Sequence, residues 1–271
     1  MPTTKKNIPK RYEFLSFVEK IPKEYREGPW HPLSYVFFLG FAWYLGYIHN
    51  NAMDSYAIDT SLISSLISPS FLTFIRGFIS IYCFCLLSTM IYFTGPWLLK
   101  SYTITSWNLL TLRCGAMCIA DLNLLGEVGS EYALFIARCV KFPALAGCTV
   151  TVVVWWSILT PLISKLLDKK KREGFWKFNL SFPLVNFHGL NLVFALLEFF
   201  GSNNQLTLFD LYCGFVIAII YLIFYLVYLD AIGLHFYIIL TPRPWWCIGI
   251  YGLIVIVYRG MWLGFNQLIM N

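Results

Sequence analysis

The sequence predicts an all-α protein, a polytopic transmembrane bundle of about seven helices. Three observations support this prediction: 58% of the 271 residues are hydrophobic, only 13% are charged, and apolar segments recur along the whole chain. Soluble domains carry about a quarter charged residues, and a soluble globule has too little interior to hide so much apolar surface. The mean hydropathy of +0.66 also indicates an integral membrane protein.

Each apolar segment is a candidate span, because about 20 residues of helix cross the roughly 30 Å of hydrocarbon in a bilayer. Several segments end at a proline, and Trp and Tyr crowd their borders as they do in aromatic belts. The predicted spans are 33–49, 71–98, 104–125, 138–164, 183–200, 209–230 and 246–268, of which the first and fifth are short. The chain is thus divided into a basic segment, 1–32, and a single membrane domain, 33–268.

The distribution of Lys and Arg predicts the orientation of the bundle. Seven basic residues precede the first span, and six lie between the fourth and the fifth. The loops 50–70, 126–137 and 201–208 contain neither Lys nor Arg. With seven spans all basic loops fall on one side, which the positive-inside rule assigns to the cytoplasm or its equivalent. The N-terminus is therefore predicted inside and the C-terminus outside.

The same patterns argue against several classes of function. The net charge of +6 does not indicate nucleic-acid binding, because the basic residues flank the membrane segments. The eight cysteines lie in or beside apolar runs and lack the spacing of a zinc site. The sequence contains no GxSxG elbow, HExxH helix or glycine-rich phosphate loop. No metal ion or cofactor is therefore expected.

Polar residues inside the predicted spans are the candidates for chemistry, because hydrocarbon penalises each one unless it is paired. In span five, a rotation of 100° per residue places His188, Asn191 and Glu198 on one face. In span three, Thr111 lies on a second polar stripe, at a predicted depth similar to that of His188. A threonine hydroxyl is a weak nucleophile alone, and an adjacent imidazole can take its proton. Thr111 and His188 therefore form a candidate catalytic pair.

Structural roles remain open for the same residues. A threonine in a membrane helix usually donates its hydroxyl to the carbonyl four residues earlier, so Thr111 needs no catalytic role. Glu198 and Arg259 lie at similar predicted depths, which favours an interhelical ion pair. Asp121 is a further counter-ion for Arg259, and a small carrier or channel lined by these charges is a third functional possibility. His235, near the inner border, is a weaker site candidate.

Three segments carry a resemblance to a known family. They are SWNLLT at 106–111, HGLNLVFALLE at 188–198 and GLHFYIIL at 233–240. Their order and spacing resemble the androgen-induced/androgen-dependent (FAR-17a-like) multi-pass membrane proteins, with the rolling-stone proteins as a related branch. The resemblance covers about residues 71–268 and implies a six-helix core to which the first span is an addition.

The resemblance implies an intramembrane threonine hydrolase, since the androgen-induced branch cleaves fatty acid esters of hydroxy fatty acids. Thr111 would attack the ester carbonyl, and His188 would act as base and then as acid. Asn108 and Asn191 are candidates for stabilising the oxyanion. The rolling-stone branch is instead associated with membrane or cell fusion. The alternative is a non-catalytic membrane protein, either an accessory subunit of a larger membrane complex or an adhesion or fusion component.

The expected partners follow from these two functions. Membrane lipids surround the chain in either case. The hydrolase requires a lipid ester substrate, and the accessory subunit requires a larger membrane-protein assembly. Nucleic acid is not an expected partner.

Overall fold

The computed structural model describes residues 22–57, 68–202, 205–232 and 237–270. These ranges form helices and turns without a strand. Ten α-helical segments are numbered in chain order: α1 Pro32–Ala57, α2 Pro69–Thr94, α3 Tyr102–Asp121, α4 Gly126–Val154, α5 Thr160–Leu166, α6 Lys169–Asn179, α7 Phe182–Val185, α8 Asn191–Ser202, α9 Leu208–Phe224 and α10 Cys247–Met270.

Three π-helical segments continue these helices without a break. They are Trp155–Leu159 between α4 and α5, Asn186–Leu190 between α7 and α8, and Tyr225–Leu229 after α9. Short 3-10 turns at Lys23–Tyr25, Pro96–Lys100 and Ile238–Leu240 lie in the connections. The predicted fourth, fifth and sixth spans are therefore continuous helices that each contain one wider turn.

Within the described ranges, five helices are long and apolar enough to cross a membrane. They are Pro69–Thr94, Gly126–Leu166, Phe182–Ser202, Leu208–Leu229 and Cys247–Met270. The predicted all-α, multi-pass membrane bundle is confirmed at this level. The helices α1 and α3 are 26 and 20 residues long but less apolar, so the count of seven spans stays a prediction.

The centre of the bundle is built on α3, α4 and α9. Helix α3 packs between α2 and α4, and α9 packs between α4 and α1. Trp107, fully buried on α3, donates its indole N–H to the Cys83 carbonyl of α2 at 2.9 Å. A Cβ added at Gly147 of α4 would lie 2.6 Å from the Ser106 hydroxyl oxygen. A glycine is required there because it lets the α3 and α4 backbones approach closely.

Several contacts join the basic connections to one another at one end of the bundle. The His31 backbone N–H donates to the Pro242 carbonyl at 2.9 Å, which joins the start of α1 to the connection before α10. The Tyr221 hydroxyl of α9 donates to the Lys100 carbonyl at 3.2 Å, beside the start of α3. Arg243 pairs with Asp230 at 2.7 Å. The connection after α5 joins them through Asn179, which bonds to Trp155; Trp155 stacks on His188, and His188 contacts Thr103 at the start of α3. The described basic loops therefore share an end, as the alternation of charge predicts, while the membrane side stays a prediction.

Of the predicted basic segment 1–32, only residues 22–32 lie within the described ranges. The short 3-10 turn Lys23–Tyr25 in this part packs against the connection before α10, where the Thr241 hydroxyl donates to the Tyr25 carbonyl at 2.7 Å. His235, the weaker site candidate, lies outside the described residues.

Candidate active site

Two of the π-helical segments face each other and meet at His188. The imidazole of His188, in Asn186–Leu190, stacks on the Trp155 indole of the other segment with ring centres 4.0 Å apart and planes 19° apart. The backbone of His188 departs from helical geometry, with φ −117° and ψ 17°. Its carbonyl accepts a hydrogen bond from the Trp156 indole N–H. Wider turns of this kind often occur at functional sites, where they redirect a side chain.

The hydrogen bonds of His188 determine which ring nitrogen carries the proton. Nδ1 lies 3.2 Å from the Leu184 carbonyl oxygen, which can only accept, so Nδ1 carries the hydrogen. In the neutral imidazole, Nε2 then presents its lone pair. The Thr103 hydroxyl lies 3.3 Å from Nε2 and donates to it. The buried imidazole is thus oriented to accept a proton from a threonine.

Thr103 does not make the hydrogen bond that is usual for a threonine inside a helix. Five others donate to the carbonyl four residues earlier, as is usual in helices: Thr89, Thr94, Thr105, Thr111 and Thr149. Thr103 is the second residue of α3, and the carbonyl four residues before it belongs to the 3-10 turn Pro96–Lys100. Its hydroxyl is therefore directed to His188 rather than to its own helix.

Thr103 and Trp155 line a cavity of about 530 Å³ between α1, α4, α9 and α10. This volume lies in the range of roughly 300–1,000 Å³ that is typical of small-molecule pockets. Aliphatic and aromatic side chains form most of the wall. The Tyr237 hydroxyl approaches the side chains of Thr103 and Tyr221. The site is thus an apolar chamber with a few hydroxyl groups beside one imidazole.

Thr111, the nucleophile expected from the sequence, does not face His188. Its hydroxyl donates to the Trp107 carbonyl at 2.9 Å, and it lies eight residues, or roughly 12 Å, beyond Thr103 along α3. The predicted pair Thr111–His188 is therefore wrong. The first turn of α3 lies level with His188, so Thr103 takes the place assigned to Thr111.

The two asparagines predicted near the oxyanion are not brought together at this pair. Asn108 is half-buried and lies about 140° around α3 from Thr103, so it points away from His188. Asn191 is fully buried, and its Oδ1 accepts the Leu192 backbone N–H at 2.8 Å. Its Nδ2 has no hydrogen-bond partner among the described residues. The oxyanion role of Asn191 stays a prediction.

Glu198 belongs to a second, separate cluster. Its carboxylate accepts from Arg76 Nε at 2.8 Å and Nη2 at 3.1 Å, and from Arg113 Nη2 at 2.9 Å. The predicted ion pair Glu198–Arg259 is therefore wrong. Arg259 is exposed on α10, whereas Arg76 on α2 and Arg113 on α3 are buried beside Glu198. A buried carboxylate requires a buried partner, and depth along the chain does not show which arginine faces it.

Asp121 completes this cluster. It accepts from Arg76 Nη1 at 2.9 Å and from the Thr73 hydroxyl at 2.8 Å. Two arginines and two carboxylates thus neutralise one another across α2, α3 and α8. This arrangement supports a structural role for Asp121 and Glu198 rather than a channel path. Arg259 does not belong to the cluster.

The chain was compared with protein-family models, with curated proteins and with solved structures, and no match was found. Fold and site together define a multi-pass helical membrane protein with a Thr–His pair at the wall of an apolar cavity. No group of three or more His, Cys, Asp and Glu side chains within the described ranges is placed to hold a metal ion.

Proposed function

We propose that the protein is an intramembrane hydrolase of lipid esters in which Thr103 is the nucleophile and His188 is the general base. The observation that carries this proposal is the hydrogen bond from the Thr103 hydroxyl to His188 Nε2 beside the apolar cavity. Nucleophile and base lie within the reach that proton transfer needs. The family resemblance implies the same reaction class but names Thr111 as the nucleophile, so the assignment to Thr103 rests on the geometry alone.

In the first half-reaction, Thr103 Oγ1 attacks the ester carbonyl carbon while His188 Nε2 takes the hydroxyl proton. The bond from the carbonyl carbon to the alcohol oxygen then breaks, and His188 gives its proton to the leaving alcohol. Water attacks the resulting acyl-threonine with His188 again as base, which releases the carboxylic acid and restores Thr103. The Leu184 carbonyl holds Nδ1–H throughout and keeps the ring in this orientation.

The cavity supports a substrate with a long apolar chain. Its wall is formed mainly by aliphatic and aromatic side chains, which suit an acyl chain better than a polar ligand. Thr103 lies in the first turn of α3, at the end of the bundle where the basic loops collect, so water can reach the acyl-threonine. The Tyr237 hydroxyl, which approaches Thr103, is the donor available to the developing oxyanion. Fatty acid esters of hydroxy fatty acids meet these requirements.

The experiment measures hydrolysis of a panel of long-chain esters, including fatty acid esters of hydroxy fatty acids, by the purified full chain. Thr103→Ala and His188→Ala should each lower turnover by about 10²-fold or more, because each removes one partner of the proton transfer. Thr111→Ala is the matched control on the same helix and should stay within about twofold of the wild type.

A fluorophosphonate probe gives a second readout, since it should label Thr103 in the wild type and fail to label Thr103→Ala. Wild-type turnover in Thr103→Ala, or loss of turnover in Thr111→Ala, would contradict the proposal. A chain that neither turns over esters nor reacts with the probe, and that purifies within a larger membrane assembly, would be the non-catalytic subunit instead.

A further inference from the structure

Helix α6 is short, basic and amphipathic, and it lies between α5 and α7. Between residues 165 and 179 the chain carries six basic residues and two acidic ones. The Asp168 side chain caps the helix by accepting the Lys171 backbone N–H at 2.9 Å. Phe175 and Asn179, one turn apart, are the buried residues of the helix. The rest of its surface is exposed.

The exposed surface of α6 combines cationic and aromatic groups. At 100° per residue, Lys170 and Lys177 lie opposite the buried Phe175–Asn179 side, and Trp176 and Phe178 lie on the two flanks. Lys177 pairs with Glu173 at 2.9 Å, whereas Lys169 and Lys170 form none of the ion pairs seen among the described residues. Lysines on the polar face with aromatic side chains on the flanks are typical of helices that lie in a membrane interface.

Helix α6 is also tied to the bundle. Arg172 donates to the Ser164 carbonyl at 2.8 Å and to the Leu167 carbonyl at 3.1 Å, which fixes α6 to the end of α5. At its other end, the fully buried Asn179 receives the Trp155 indole N–H at 2.6 Å and donates to the Thr160 hydroxyl at 3.3 Å. Because Trp155 stacks on the His188 ring, two contacts join α6 to the imidazole.

We propose that α6 is a docking helix for anionic phospholipid headgroups and that its docking holds Trp155, and through it the His188 ring, in position. Lys169 and Lys170 supply the positive charge that attracts anionic lipid, and Trp176 and Phe178 supply the interfacial anchor. Helix α6 lies at the end of the bundle that collects the basic loops, which is the end expected to face an anionic leaflet. The consequence for hydrolysis rests on the function proposed above, whereas the docking itself does not.

The docking test uses the full chain in nanodiscs of phosphatidylcholine, with or without phosphatidylglycerol. Hydrogen exchange of the backbone amides of 169–179 should slow by about tenfold when the anionic lipid is present. The variant Lys169→Gln/Lys170→Gln should lose this protection. The matched control Lys23→Gln/Lys100→Gln removes the same charge from the same end of the bundle but away from α6. In this control, anionic lipid should still slow the exchange of 169–179. Equal exchange in both lipids, or equal protection of both double variants, would overturn the docking.

The coupling test measures the rate at which diethyl pyrocarbonate modifies His188, followed by mass spectrometry. Anionic lipid should slow this modification about threefold in the wild type, because a held ring opens less often. In Asn179→Leu, anionic lipid should still slow hydrogen exchange in α6 but should no longer slow the modification of His188. Trp155→Phe, which retains an aromatic ring without the N–H, is a second variant in case the first does not fold.

An unchanged rate for His188 in the wild type, with α6 protected, would overturn the coupling. Neither readout uses an ester substrate, so their failure counts against the role of α6 alone. The proposed function fails separately, through the Thr103 variants.

Discussion

Replacing Glu198 by glutamine should destabilise the protein strongly. The substitution keeps the shape of the side chain but removes the charge that Arg76 and Arg113 share. Arg76 retains the partly exposed Asp121, whereas Arg113 forms no other carboxylate pair among the residues that the structure describes. Breaking a buried ion pair by removing one partner costs about 3–5 kcal/mol, because the remaining charge stays buried without compensation.

The loss of stability in Glu198→Gln can be measured as a change in melting temperature in detergent micelles. At about 2–4 °C per kcal/mol for a chain of this size, Glu198→Gln should melt roughly 6–20 °C below the wild type. Arg259→Gln is the control, because that arginine is exposed and should shift the melting temperature by less than about 2 °C. Adding Arg113→Met to Glu198→Gln should recover part of the loss, since the uncompensated charge is then gone.

Three results would refute this reasoning. If Arg259→Gln destabilised the protein as much as Glu198→Gln, Glu198 would pair with Arg259, as expected from the sequence. If Glu198→Gln melted within about 2 °C of the wild type, the carboxylate would not be compensating buried arginines. If the double variant were as destabilised as the sum of its single variants, Arg113 and Glu198 would not be coupled.

Two further predictions concern the contact between α4 and α9. A Cβ at Gly214 would lie 2.6 Å from the Phe142 ring, so Gly214→Ala should lower the free energy of unfolding by about 1–3 kcal/mol through overpacking. Gly252 is the control, because a Cβ there meets no atom within 4 Å and Gly252→Ala should leave the free energy of unfolding unchanged or raise it by up to about 1 kcal/mol. Thermal melting of both variants tests the opposite signs. The thiols of Cys139 and Cys213 lie within hydrogen-bonding distance, so molecular oxygen with a copper catalyst should oxidise them to a disulfide that mass spectrometry detects as a linked peptide. Failure of the two cysteines to cross-link in the folded chain would contradict the close approach of their thiols.

The helical membrane character and the important polar residues could be predicted from the sequence. Composition alone separates this chain from a soluble domain, because too much of its surface is apolar. His188 and Glu198 could be identified because a polar group inside an apolar span requires a partner. Both residues are buried and hydrogen-bonded. The cost of burying a polar group is local to each residue, so it can be recognised from the sequence alone.

The partners of these residues could not be predicted, because residue counting estimates depth but not direction. Arg259 lies at a suitable predicted depth for Glu198, but it is exposed on α10, whereas Arg76 of α2 faces the carboxylate. Helix ends estimated from the sequence place Thr111 at the depth of His188, whereas Thr103, about two turns earlier on α3, is the threonine that contacts the ring. One signal was available: Thr103 lies two residues after the N-cap of α3 and has no helical carbonyl four residues before it, so its hydroxyl is free to bond elsewhere.

The π-helical segment Asn186–Leu190 changes what an insertion or deletion would do to this protein. A π turn holds one residue more than an α-turn and absorbs it within the wider turn, so deleting one residue there would restore regular geometry with little rotation of the helix beyond it. Deleting one residue from the regular turns of α8 before Glu198 would instead rotate the rest of the helix by about 100°, and Glu198 would turn away from its two arginines although every side chain of the cluster was unchanged. Asn186–Leu190 is therefore the part of this span where the loss of one residue would leave Glu198 facing its arginines.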